Sequence, residues 1–168
     1  MKKRIISISM LLMLTPAMAW ADASLDANKV REVMNYYHSG NTVILVNYKL
    51  CSSIAKEGKD KNECTEVIED ANIEKGSKAY LWMNFLVPGD DIEKTNVLVQ
   101  FKYKGKAMNT SEIPMPQSIR YRTWRTLPTK KPGDWQVSIE QENETGFTSI
   151  DSIAFTVVDS SEAIAGTQ

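Results

Sequence analysis

Six consecutive residues, Arg120-Tyr121-Arg122-Thr123-Trp124-Arg125, put three guanidiniums and two aromatic rings into one short stretch. A guanidinium pairs with carboxylate or phosphate through two parallel hydrogen bonds. Aromatic faces stack on sugars, on bases or on cations. In an extended strand Arg120, Arg122 and Trp124 share one face, and Tyr121, Thr123 and Arg125 share the other. Two readings are open. Arg120, Arg122, Trp124 and Arg125 form a ligand-binding surface, or Trp124 anchors a core while the arginines stack on rings and pair with acids. A bulge would change which side chains meet.

Other reactive groups are sparse. The chain has one histidine and two cysteines, too few soft ligands for a structural zinc site and only one imidazole for a nucleophilic triad. That histidine, His38, falls at the end of an expected helix, where an imidazolium complements the helix dipole. Cys51 and Cys64 are not at the C-x-x-C spacing of redox dithiols, and they are expected to form a structural disulfide around the polar stretch 57–62. Carboxylates neighbour one another at Glu69-Asp70, Asp90-Asp91 and Glu140 with Glu142. A glycosidase needs two acids at a defined separation in a cleft, and spacing along the chain does not provide that. Asp70-Ala71-Asn72-Ile73-Glu74 opens like a calcium loop, but Lys75 stands at the glycine position and Leu81 at the closing glutamate position. No cofactor and no metal are expected.

These groups must be positioned by a single domain, since 168 residues can bury one substantial core but are short for two. Lys2, Lys3 and Arg4 precede an apolar run over residues 5–14. Ala17-Met18-Ala19 and Ala19-Trp20-Ala21 then offer small-residue cleavage sites, so residues 1–21 read as a signal peptide. The run is too short to span a bilayer, and the mature form is expected to have no membrane span. Residues 22–41 read as an N-terminal helix and its connection. Val30, Val33, Met34 and Tyr37 form an apolar stripe that should pack on the domain, and Ser39-Gly40 supplies a stop.

From residue 42 to 158 the period changes to two. Residues 42–50 and 64–69 are candidate strands, and 79–87 is the clearest buried one, closed by Pro88-Gly89-Asp90-Asp91. Val97, Val99 and Phe101 alternate with polar residues, as do Trp135, Val137 and Ile139, and Ile153, Phe155 and Val157 recur at every second position. Gly105, Pro114, Pro116, Pro128, Pro132-Gly133 and Asn143 to Gly146 punctuate the runs. About seven or eight short strands without intervening helices imply a mostly β, antiparallel sandwich. Trp82 and Trp135 lie in the strongest strand patterns and are expected in its core. Residues 159–168 read as a flexible tail.

Six segments recur in an order that resembles a known group of proteins. They are Cys64-Thr65-Glu66-Val67, Tyr80-Leu81-Trp82, Tyr103-Lys104-Gly105-Lys106, Tyr121-Arg122-Thr123-Trp124, Pro132-Gly133-Asp134-Trp135-Gln136-Val137 and Phe155-Thr156-Val157. Over residues 62–158 the chain resembles the bacterial exported domain-of-unknown-function family 2914. The resemblance implies an immunoglobulin-like sandwich and export. The family has no established reaction.

The expected function is a non-catalytic domain, periplasmic or secreted, that binds a protein or a cell-envelope component. A carboxylate-dependent carbohydrate or peptidoglycan hydrolase is one alternative, and an inhibitor or chaperone acting through a sheet edge is another. Lys plus Arg number 20 against 21 Asp plus Glu, which does not indicate a nucleic-acid partner.

Overall fold

The computed structural model describes residues 27–37, 42–88 and 96–159. The expected signal peptide, the helix-end His38, the Gly89-Asp90-Asp91 turn and the tail beyond Asp159 lie outside them.

Nine strands form two sheets among the described residues. In chain order they are β1 (Ile44–Ile54), β2 (Cys64–Val67), β3 (Asn72–Glu74), β4 (Tyr80–Val87), β5 (Asn96–Tyr103), β6 (Lys106–Pro114), β7 (Ser118–Thr126), β8 (Gly133–Asn143) and β9 (Gly146–Val158). One sheet runs β2-β1-β4-β7 and the other β3-β9-β8-β5-β6. Both the strand count and the purely antiparallel expectation need correction. The segment that opens like a calcium loop ends in β3, which pairs parallel with β9 through Asn72 and Thr156. Three residues with one buried side chain, Ile73, leave almost no period to detect. A helix, α1 (Ala27–Tyr37), precedes the strands, but Val33 and Tyr37 of its stripe are exposed instead of packed on the domain.

The core lies where the alternating residues meet. Leu81, Met83, Phe85 and Val87 of β4 point inward, toward the sheet that carries Val97, Val99, Phe101, Val137, Ile139, Ile153, Phe155 and Val157. Trp135 belongs to this core and stacks nearly parallel on Phe155, with centroids 6.2 Å apart. Chain reversals obey local backbone rules. At the β5–β6 hairpin both Lys104 and Gly105 have positive φ, at 48° and 76°, the pattern that matches strand twist across a two-residue turn. Gly133 begins β8 at φ 115°, and a Cβ there would lie 3.1 Å from the Tyr103 hydroxyl, which donates to the Pro132 carbonyl.

Trp82 departs from expectation. It is buried, but it points away from the sandwich interior and joins Cys51 and Ile54 in a second, smaller cluster bordered by Cys64, Tyr80 and Trp124. Residues 79–87 therefore read as a continuous apolar run because both faces of β4 are covered. The inner face meets the opposite sheet, and the outer face meets something else.

Candidate ligand groove on an edge strand

The cover on that outer face is the loop between β1 and β2. Cys51 and Cys64 are joined in a disulfide, as their spacing suggested. The loop's base is closed by Ala55 N–H donating to the Glu63 carbonyl at 2.9 Å and Asn62 N–H donating to the Ala55 carbonyl at 2.8 Å. Asn62 adopts φ 66°, a left-handed conformation that asparagine tolerates better than most residues. Its carbonyl accepts the Trp82 indole N–H at 2.6 Å, which fastens the loop onto the middle of the sheet.

The same loop delivers Glu63 to β7. One carboxylate oxygen of Glu63 accepts from Arg120 Nη2 at 2.8 Å and from Arg122 Nη1. The Arg120 side chain is 61% exposed, whereas those of Arg122 and Glu63 are 27% and 24% exposed. Register fixes the shared face: Trp124 lies opposite Trp82, and Arg122 lies opposite Asn84. Asn84 is in turn opposite Asn47 of β1. Its Oδ1 is buried and has no hydrogen-bond partner, which is costly for an amide oxygen.

Arg125 belongs to the opposite face and does different work. Its Nε donates to Ser111 Oγ at 2.7 Å and its Nη2 to the Glu112 carbonyl at 3.2 Å, both on β6 of the other sheet. Nη1 donates to the Trp124 carbonyl at 2.9 Å. One guanidinium thus ties an edge of each sheet together across the open side of the sandwich. Burial pulls the Arg125 pKa below its ordinary value. Of the four sequence candidates, Arg120, Arg122 and Trp124 gather on the outer face, and Arg125 does not join them.

β7 is an edge strand, and a groove of about 400 Å³ runs along it, lined by Asn62 and residues 121–126. Backbone polarity follows from the ladder. Leu127 N–H donates to the Ala79 carbonyl, so the odd-numbered residues of this stretch face β4. Arg122, Trp124 and Thr126 then turn their N–H and C=O groups toward the groove. The lining offers guanidinium, indole, phenol, hydroxyl and carboxamide groups, a set that recognises anions and hydroxyls.

No family model matches the chain, and no curated protein matches it. Solved structures are similar in fold. The C-terminal domain of Wzt is 14% identical, covering 72% of this chain and 76% of that one, with a TM-score of 0.48. An immunoglobulin-like protein from Pseudomonas aeruginosa is 10% identical, covering 70% of this chain and 97% of that one, with a TM-score of 0.43.

Among the acidic candidates, Asp70, Glu140 and Glu142 have local partners. Asp70 accepts the Asn72 N–H at 3.1 Å and the Asn72 side-chain amide at 3.3 Å, which hold its carboxyl below the usual carboxylate value and turn the chain into β3. Glu140 pairs with Lys102 at 4.0 Å, and Glu142 accepts from Asn96 at 3.3 Å. The residues that sequence reasoning missed are Asn62, Glu63 and Asn84. Glu63 and Asn62 gain their roles only once the disulfide folds their loop across three strands. Asn84 carried one weak signal, being the lone amide in an otherwise apolar and aromatic strand.

Proposed function

We propose that this protein is an exported, non-catalytic binding domain that takes up a cell-envelope component in the groove along β7. The observation that carries this reading is the groove itself, where Arg122 and Trp124 project along a strand that ends its sheet. Export is supported by the disulfide, a bond that persists in oxidising compartments. Among the described residues no helix is long and apolar enough to cross a membrane. The groove's guanidinium, indole, hydroxyl and carboxamide groups suit recognition.

The test is co-sedimentation of the purified, oxidised protein with washed envelope from its own cells. Arg120→Ala combined with Arg122→Ala is expected to weaken retention by about tenfold or more, which corresponds to loss of charge-assisted contacts. The variant should still unfold cooperatively, with a modest loss of thermal stability, because Arg120 is exposed while the Arg122–Glu63 pair is half-buried. Equal retention by a folded double variant would refute the reading.

A further inference from the structure

The Arg120–Arg122 pair already holds a carboxylate, and it is the protein's own. We infer that the groove's ligand is a carboxylate-bearing glycan of the uronic-acid type, and that Glu63 occupies the glycan carboxylate's place until the ligand displaces it. This inference rests on the binding reading above and names the ligand class for the same groove.

Charge indicates an anion. Two guanidiniums converge on one oxygen of one carboxylate, so the cluster keeps an excess positive charge after Glu63 is counted. The geometry is already set for a carboxylate, since that is the group it holds. Beside Arg122 the groove lining adds the Thr126 hydroxyl and the Asn62 carboxamide. A ligand with hydroxyls near its carboxylate meets the arginines and these polar groups together, and uronic acids carry both. The half-buried Trp124 ring, edge-on to Tyr80 at 5.3 Å, adds an apolar surface for a sugar face.

An acidic peptide fits less well. A peptide adding as a further strand needs the edge carbonyls of β7, and Arg125 already occupies that of Trp124. Arg125 is also a charge directed inward on an edge strand, a device that resists strand addition.

Glu63 acts as a tethered competitor. A group held on a short loop competes at an effective concentration on the order of millimolar, so removing its charge should raise affinity for an outside carboxylate. The opposite holds if Glu63 merely orders the arginines for a different ligand.

The experiment measures binding of the oxidised full-length mature protein to three probes by calorimetry at fixed salt. They are polygalacturonate, neutral dextran and poly-L-glutamate. Glu63→Gln is expected to bind polygalacturonate about tenfold more tightly than the wild type. Adding Arg122→Ala to it should abolish binding, and neither dextran nor poly-L-glutamate should compete. Glu63→Asp, which withdraws the carboxylate by one methylene, should show a smaller gain in the same direction and stands in if Glu63→Gln does not fold. A Glu63 variant that binds polygalacturonate no better than the wild type overturns the inference, as does equal binding of poly-L-glutamate. If either occurs while envelope retention still depends on Arg120 and Arg122, the groove remains a binding site and only the ligand class falls.

Discussion

Replacing Trp82 by alanine is expected to cost about 3–5 kcal/mol of unfolding free energy, the range for removing a large buried aromatic. The ring is 3% exposed although it lies outside the main core. It is enclosed by Cys51, Ile54, Cys64, Tyr80 and Trp124, and its N–H fixes the Asn62 carbonyl. Lys49 Nζ also sits 5.6 Å from its ring centroid. Alanine removes the packing and the loop anchor together. Trp82→Phe keeps most of the buried area and loses the N–H, so its cost should be smaller, with about 1 kcal/mol assigned to the lost hydrogen bond. Urea unfolding of both variants separates the two contributions. If alanine costs no more than phenylalanine, the outer cluster is not a packed unit.

Removing the disulfide ranks next. Cys51 and Cys64 are 13 positions apart. By the loop-entropy argument a ring of that size stabilises a fold by about 3 kcal/mol. Cys51 is fully buried, so Cys51→Ala with Cys64→Ala also loses packing in the outer cluster. Glu63 is the immediate neighbour of Cys64, so opening the ring loosens the carboxylate's hold on Arg120 and Arg122 as well as the fold. Urea midpoints with and without reductant give the stability term, and an unchanged slope would show that the same surface is exposed on unfolding. Identical midpoints would mean that the ring contributes nothing to this domain.

The main core could be read from the sequence because its strands bury one face each. Val97, Val99 and Phe101 are buried at every second position, as are Trp135, Val137 and Ile139, and period two is visible in any one-sided strand. β4 kept its type but hid its second face, since Trp82 is covered by the disulfide cluster and by a loop that no periodicity describes. β3 was too short to show a pattern, and its parallel partner β9 lies more than 80 residues away. The alternation of Arg120, Arg122 and Trp124 against Tyr121, Thr123 and Arg125 follows from strand geometry alone. What each arginine touches does not. Glu63 reaches two of them across the sheet, and Ser111 holds the third from the other sheet, contacts that depend on tertiary packing.

The account's central claim is that β7 and its arginine row form the ligand site. Heteronuclear NMR of the oxidised protein, titrated with soluble polymer released from its own envelope, tests it most directly. Saturable shifts are predicted for the Trp124 indole N–H and the Arg122 Nε–H. The Trp135 indole, which donates to the Lys131 carbonyl at 3.0 Å on the other sheet, should stay in place. Shifts confined to the five-stranded sheet, with Trp124 and Arg122 unmoved at saturation, would contradict it.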